Sequence, residues 1–152
     1  MVDKDVDKYM YKIQKMLINK TYVIKPTDYK MFKKNDKGKI REIYKLDYFP
    51  HRVIQWALML QIQDILHSTL IGNTFSSIPS RGIHLASRRL QKDLREDEDG
   101  TKYCLKIDVK KFYPNINQSI LKKMFRKKFK DKDLLWLIDT IVDSMEGEKD
   151  WL

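Results

Sequence analysis

Asp108 is the residue whose surroundings in the sequence best suit a catalytic or metal-binding role. It follows an apolar segment, residues 103–107, that predicts a β-strand, and Pro114 then stops any regular continuation. A carboxylate at the end of a strand is held rigidly and still reaches solvent, which suits a hard divalent cation such as Mg²⁺ or Mn²⁺. The alternative is that Asp108 only caps the turn after the strand, which is the commoner role of an isolated aspartate.

Two clusters of basic side chains could contact phosphate. The first surrounds a turn signal at residues 35–38, where Gly38 can take a positive φ, and predicts a β-hairpin over about residues 28–46. Its basic side chains near the tip are Lys33, Lys34, Lys37, Lys39 and Arg41. The second cluster, residues 122–130, includes Lys127 and follows a helical pattern, so phosphate contact and a solvated helix face are equally good interpretations.

Composition narrows the class of protein. The 152 residues contain 31 Lys and Arg against 21 Asp and Glu, and the net charge of +10 favours a polyanionic partner. No apolar run approaches the roughly 20 residues that a membrane span needs, and the charged start of the sequence leads us to expect no secretory signal. Cys104 is the single cysteine and is expected to be buried, which fits a cytoplasmic setting. Three widely spaced histidines predict no zinc site: His51, His67 and His84.

Helical and extended patterns are mixed without regular alternation, which indicates an α+β fold. The strand 103–108 and the hairpin supply the β part, and Asn117 and Asp131 are candidate N-caps. Helices are predicted over residues 4–18, 50–67 (opened by Pro50), 81–95, 117–129 and 131–144. The second of these helices is expected to bury a broad face formed by Val53, Trp56, Ala57, Leu60, Ile62 and Leu66.

The segment around Asp108, residues 106–116 (KIDVKKFYPNI), resembles motif A of reverse transcriptases of the bacterial retroelement type, which includes group II introns, retrons and diversity-generating elements. Residues 37–43 resemble the fingers hairpin with its arginine, residues 50–55 resemble the helix start that follows it, and residues 75–86 resemble a third block. Each block alone is a weak signal, but the four occur in the family's order and span about residues 20–145.

The resemblance implies roles for individual positions. Asp108 would bind the catalytic metals with the carbonyl of Val109, and Tyr113 would be the steric gate against ribonucleotides. Arg41, with Lys39, would contact the triphosphate through forked and ionic hydrogen bonds. Candidates for contacts to nucleic acid in the matching blocks are Lys33, Lys34, Lys37 and Arg81, with one or two of the hairpin lysines touching phosphate and the others solvated. The basic cluster at residues 122–130 adds Lys127 independently of the resemblance. Phe112, next to the gate, is expected to pack in the core.

The same resemblance implies a right-hand polymerase with a β-hairpin and several helices around a small antiparallel sheet. Residues 1–100 would form the fingers region with some palm helices, and residues 101–152 the first part of the palm. The family's second carboxylate pair, Asp-Asp in a later hairpin, does not occur in this sequence. We therefore expect a chain that stops before the rest of the palm and the thumb, is inactive alone, and has an unpaired palm edge that would allow self-association.

The activity implied is that of a nucleotidyltransferase, which adds deoxynucleotides to a DNA primer on an RNA template with Mg²⁺. The alternative is a non-catalytic RNA-binding module that uses the basic hairpin and helices. A basic helical DNA-binding protein is a third interpretation, but such a protein has no use for an aspartate aimed at phosphate. Asp108 discriminates the first two interpretations. If it binds metal in the full-length protein, its replacement by Asn would abolish synthesis there and leave RNA binding intact, whereas the same change in a simple RNA-binding module would have no effect.

Overall fold

The computed structural model describes residues 5–36, 38–113 and 115–144. These residues form five α-helices and one two-stranded antiparallel sheet, which confirms the predicted α+β class. A 3₁₀ turn, Pro26–Asp28, precedes the hairpin, and a segment with π-helical hydrogen bonding, Tyr48–Arg52, follows it, with extended backbone at Phe49. In chain order the main elements are α1 (Val6–Ile18), β1 (Lys30–Asp36), β2 (Lys39–Lys45), α2 (Val53–Ser68), α3 (Ile83–Glu96), α4 (Gln118–Lys128) and α5 (Lys132–Val142).

The chain divides into two compact units. The first comprises the described parts of residues 1–59 and 111–152, and it contains most of the buried apolar side chains. These side chains are Tyr22, Ile24, Leu46, Ile54, Leu58, Phe129, Leu137 and Ile138. The second unit, Leu60–Lys110, buries Ile62 alone among its described apolar residues, so most of its apolar surface faces solvent.

The predicted hairpin is confirmed, with β1 and β2 paired in an antiparallel register that sets Lys34 opposite Arg41. Gly38 has a φ of 84°, a left-handed conformation that glycine adopts without steric cost. Its backbone N–H also donates to Oδ1 of Asn35 at 2.9 Å. The turn residues therefore define where β1 ends and β2 begins, and that point fixes every cross-strand pair.

The base of the hairpin is fixed by buried polar contacts in the first unit. The hydroxyl of Tyr22 lies 3.2 Å from Nδ1 of His51, and Nε2 of His51 lies 3.7 Å from Oδ2 of Asp28. Tyr29 and Ser144 share a hydrogen bond of 2.7 Å between their hydroxyl groups. His51 is only 8% exposed, so its ring is part of the buried interior of the first unit.

The α2 helix buries a narrower face than its sequence suggests. Ile54, Leu58 and Ile62 are buried at four-residue intervals, and they define one stripe of the helix. Trp56 and Leu60 were expected in the buried face and are exposed instead. The predicted N-caps further along the chain are confirmed.

Those two N-caps begin α4 and α5. Asn117 accepts a hydrogen bond from the backbone N–H of Ile120 at 3.0 Å, and Asp131 accepts one from Leu134 at 2.7 Å. Each cap satisfies a backbone donor that the first turn of a helix would otherwise leave unpaired. Both helices therefore begin within one residue of their predicted starts.

The predicted strand at residues 103–108 is wrong. Residues 103–109 have no regular secondary structure, and every side chain among them is exposed, including that of Cys104, which was expected to be buried. The alternating apolar pattern describes a segment that suits pairing, but a strand forms only when a neighbouring strand completes its hydrogen bonds. No described segment does so here.

None of the helices in the described ranges combines the length and the apolar character that crossing a membrane requires.

Candidate functional site

The register of the hairpin divides its side chains between two faces, because directly opposed residues in antiparallel strands project to the same side. One face, here called the basic face, has five basic side chains and one acidic one. It consists of Lys30, Phe32, Lys34, Asp36, Lys39, Arg41, Ile43 and Lys45. The opposite face has Lys33 beside Glu42, with Nζ and Oε1 3.9 Å apart. Lys33, which was expected to contact nucleic acid, therefore lies on the side away from Arg41.

Like charges meet directly across the basic face. Lys34 is opposite Arg41, and Lys30 is opposite Lys45, on either side of the apolar pair Phe32 and Ile43. Directly opposed like charges destabilise a sheet unless an anion lies between or beside them. Arg41 is partly compensated by Asp36, with Nε and Oδ2 3.1 Å apart.

Salt bridges leave part of this charge unmatched. Lys30 pairs with Asp47 at 2.6 Å, and this contact lowers the pKa of the Asp47 carboxyl through the hydrogen bond and the positive charge of the lysine. Lys34 and Lys39 make no ion pair or hydrogen bond with another described residue. Lys45, at the base of the hairpin, makes no ion pair with a described residue either. The positive charge open to a ligand therefore lies at Lys34 and Lys39 in the outer half, beside Arg41, and at Lys45 near the base.

A cleft of about 390 Å³ opens at the base of the hairpin. Phe32 and Ile43 of the basic face form part of its wall, and Lys45, Arg52 and Gln55 place polar groups around it. Arg52 is exposed, so its guanidinium is accessible from the cleft. An apolar wall beside two cationic groups suits a flat ring attached to an anionic group.

Asp108 and Val109 lie in the second unit, in the exposed segment that was expected to be a strand. The carboxylate of Asp108 makes no hydrogen bond or ion pair with another described residue, so its oxygens are free to take a ligand. Carboxylate and carbonyl oxygens are the donors that Mg²⁺ prefers, and one or two protein carboxylates are its usual share. No group of three or more metal-ligating side chains occurs in the described ranges.

Tyr113 lies in the first unit, in a turn that follows Lys111, whose φ is 49°. Its side chain is 83% exposed and meets Phe112 edge to face, with ring centroids 5.4 Å apart. Phe112 is itself exposed, so its predicted place in the core is wrong. The Tyr113 ring is therefore available to a ligand.

Arg81 is half-buried at the end of an irregular loop in the second unit. Its Nη1 atom is buried and has no hydrogen-bond partner in the described part of the chain. Ser77 and Ser80 in the same loop have φ of 58° and 63°, a conformation that costs free energy in residues other than glycine. The guanidinium of Arg81 therefore has one buried nitrogen that could donate a hydrogen bond to a ligand.

Lys127 lies on α4, whose basic side chains divide into two groups. Lys122 donates to Asp143 at 2.7 Å, and Arg126 donates to Asp139 from both of its terminal nitrogens. Lys127 is exposed and forms no ion pair or side-chain hydrogen bond with another described residue, and the same holds for its neighbours Lys123 and Lys128. Only this second group has charge available to a polyanion.

Lys37 lies outside the described residues.

The pairing of Lys34 with Arg41 and the separation of Lys33 from both were not predicted. The signal was available in the sequence, because a tight turn at Gly38 sets Asp36 opposite Lys39, and this pair determines every pair towards the base of the hairpin.

A comparison with protein-family models found no match to the chain, and a search of curated proteins found none either.

Proposed function

We propose that this chain forms the fingers and the first part of the palm of an RNA-directed DNA polymerase of the bacterial retroelement type. In this proposal the hairpin binds the triphosphate of an incoming deoxynucleotide, and Asp108 holds Mg²⁺ with the Val109 carbonyl. Tyr113 excludes ribonucleotides by occupying the space of a 2′-hydroxyl group. The ordered sequence blocks support this assignment, together with the placement of charge on the hairpin.

The basic face is the observation that carries the proposal. Lys34 and Arg41 are directly opposed, and Lys39 belongs to the next pair on the same face, two residues nearer the tip than Arg41. A triphosphate has several anionic oxygens in a row, so it can offset charges at successive positions along the hairpin. The guanidinium of Arg41 can donate two parallel hydrogen bonds to one phosphate, which a lysine cannot do.

Asp108 would contribute to the metal site as one exposed, unpaired carboxylate. When bound, divalent metal ions activate the primer hydroxyl and neutralise charge on the leaving pyrophosphate. The protein's part is to hold the nucleotide and the metals in position, and the unpaired Asp108 carboxylate is available for that purpose.

Paramagnetic line broadening tests the metal site in this chain directly. Mn²⁺ added with a non-hydrolysable deoxynucleoside triphosphate is expected to broaden the backbone resonances of residues 106–110. The effect should vanish in Asp108→Asn and persist in the control Asp64→Asn, which changes an exposed aspartate of α2. Equal broadening in both variants, or none near Asp108 in the unchanged chain, would refute the metal site.

The hairpin also supports the alternative of a non-catalytic RNA-binding module, because a row of cations suits any phosphate backbone. The two functions separate at Asp108. A polymerase would lose nucleotide-dependent metal binding in Asp108→Asn and retain its affinity for RNA, whereas a simple RNA-binding module would be unchanged in both measurements.

A further inference from the structure

Residues 103–109 expose an unusual row of apolar side chains. Tyr103, Leu105, Ile107 and Val109 are 94%, 85%, 82% and 63% exposed, and they occupy every second position. In an extended chain, alternate residues point to the same side, so pairing would place these four on one face. Single exposed apolar residues are normal on a protein surface, but a continuous row of this kind marks an interaction site.

The backbone of the same segment is also unsatisfied. Residues 103–109 neither donate nor accept a backbone hydrogen bond in the described part of the chain. An extended segment with open N–H and C=O groups is a ready template for another strand. The open backbone groups and the exposed apolar side chains would therefore both be satisfied by the same kind of partner, which is a β-strand that pairs with this segment.

We propose that this partner is the same segment of a second copy of the chain, paired antiparallel about Ile107. In that register Ile107 faces Ile107 of the second copy, and Leu105 faces Val109 twice, so the apolar residues meet on one side. On the other side Lys106 faces Asp108 of the second copy, and two-fold symmetry repeats this ion pair. The segment is thus complementary to itself in both hydrophobicity and charge.

Charge selects this register over its neighbour. Pairing about Lys106 would also keep the apolar residues on one side, but it would place Lys106 opposite Lys106 and Asp108 opposite Cys104. Directly opposed like charges destabilise a sheet, whereas opposite charges stabilise it. Lys106 and Asp108 make no ion pair with another described residue, so both are available to a second copy.

This interface does not depend on the proposed function, although Asp108 takes part in both. Sedimentation equilibrium of the 152-residue chain is expected to show a reversible monomer–dimer equilibrium. Lys106→Glu alone and Asp108→Lys alone each create two like-charge pairs and should raise the dimer dissociation constant by about tenfold. The double variant exchanges the two charges and should restore dimerisation, while the metal site would stay lost because position 108 is then lysine.

Disulfide trapping tests the register independently. Ile107→Cys in a Cys104→Ser background places the two new thiols directly opposite each other, at the roughly 4.5–5.5 Å Cα separation that suits a disulfide. Mild oxidation should cross-link this variant efficiently, whereas the unchanged chain, whose Cys104 faces Lys110, should stay uncross-linked. Circular dichroism of each variant verifies that the helices are intact.

Three results would overturn the proposal. The first is a chain that stays monomeric throughout the concentration range, which would assign the segment to a partner of another kind. The second is a charge-exchanged double variant that dimerises no better than the single variants. The third is cross-linking through Cys104 in preference to position 107.

Discussion

Among single residues, Tyr22 has the clearest structural role, because it is 2% exposed and bonds the buried His51. The pair lies at the base of the hairpin, where Asp28 also approaches the imidazole. A buried polar group that loses its partner costs more free energy than the hydrogen bond itself contributes. We therefore expect this contact to determine how firmly the hairpin is attached to the first unit.

The change Tyr22→Phe keeps the ring and removes the hydroxyl group, leaving Nδ1 of His51 without that partner. The free energy of unfolding at neutral pH is expected to fall by about 1–2 kcal/mol. Urea denaturation measures it. A variant as stable as the original chain would show that the contact contributes nothing.

The same residue gives a prediction about pH. Burial raises the pKa of Tyr22 above its ordinary value of 10.0, and the nearby Tyr29 and Asp28 raise it further. The unfolded chain then ionises this phenol first, so the associated stability is complete below pH 10 and is lost as the pH rises beyond it. Tyr22→Phe lacks the titrating group, so its stability deficit should be constant from pH 7 to 9 and shrink above pH 10. If the free energies of unfolding of the original chain and of Tyr22→Phe fell in parallel above pH 10, this prediction would be contradicted.

At the scale of elements, the hairpin depends on its turn. Gly38→Ala adds a methyl group in open space, but at a φ of 84° that L-residues rarely adopt. The cost should be about 1 kcal/mol of stability, from backbone strain alone. Gly72→Ala is a matched control, because it also meets open space and its φ lies outside that region. Equal stabilities of the two variants would contradict the role of Gly38.

The sequence predicted those elements whose ends are chemically marked. Asn117, Asp131 and Gly38 each supply the specific group that a helix start or a tight turn requires, so the structure agrees with them. The buried face of α2 was not predictable in the same way. Apolar residues surround nearly the whole helix, so periodicity does not select the stripe through Ile54 and Leu58.

The predicted strand at residues 103–108 was wrong for a different physical reason. Alternation of apolar residues reports what a segment would bury, and says nothing about whether a neighbour is present to pair with it. For the candidate site residues as well, the sequence pattern did not reveal their neighbours. Arg41 and Asp108 were selected by resemblance, but the side on which each lysine of the hairpin lies came from the register in the structure.

At the scale of the whole molecule, the proposed activity needs more carboxylates than this sequence provides. A two-metal site uses several oxygen ligands, and the Asp-Asp pair that the resemblance requires is absent from the 152 residues. Primer extension on an RNA template with Mg²⁺ and deoxynucleotides is therefore expected to give no product with this chain alone. Efficient synthesis would show that the assignment of the metal ligands is wrong.

The net charge of +10 would by itself predict attraction to any polyanion. The basic face predicts a more specific behaviour, which is that phosphate binds one face of the hairpin. Lys33 and Lys34 are adjacent on β1 and carry the same charge, but they lie on opposite faces. Replacing either one by alanine changes the net charge of the chain equally, so charge alone would give equal effects.

The most direct test is titration of a fluorescent deoxynucleoside triphosphate, with Mg²⁺, into Lys33→Ala and Lys34→Ala at one salt concentration. The basic face predicts that Lys34→Ala weakens binding by about tenfold, while Lys33→Ala changes it by less than about twofold. Equal losses of affinity in the two variants, or a larger loss in Lys33→Ala, would contradict the account.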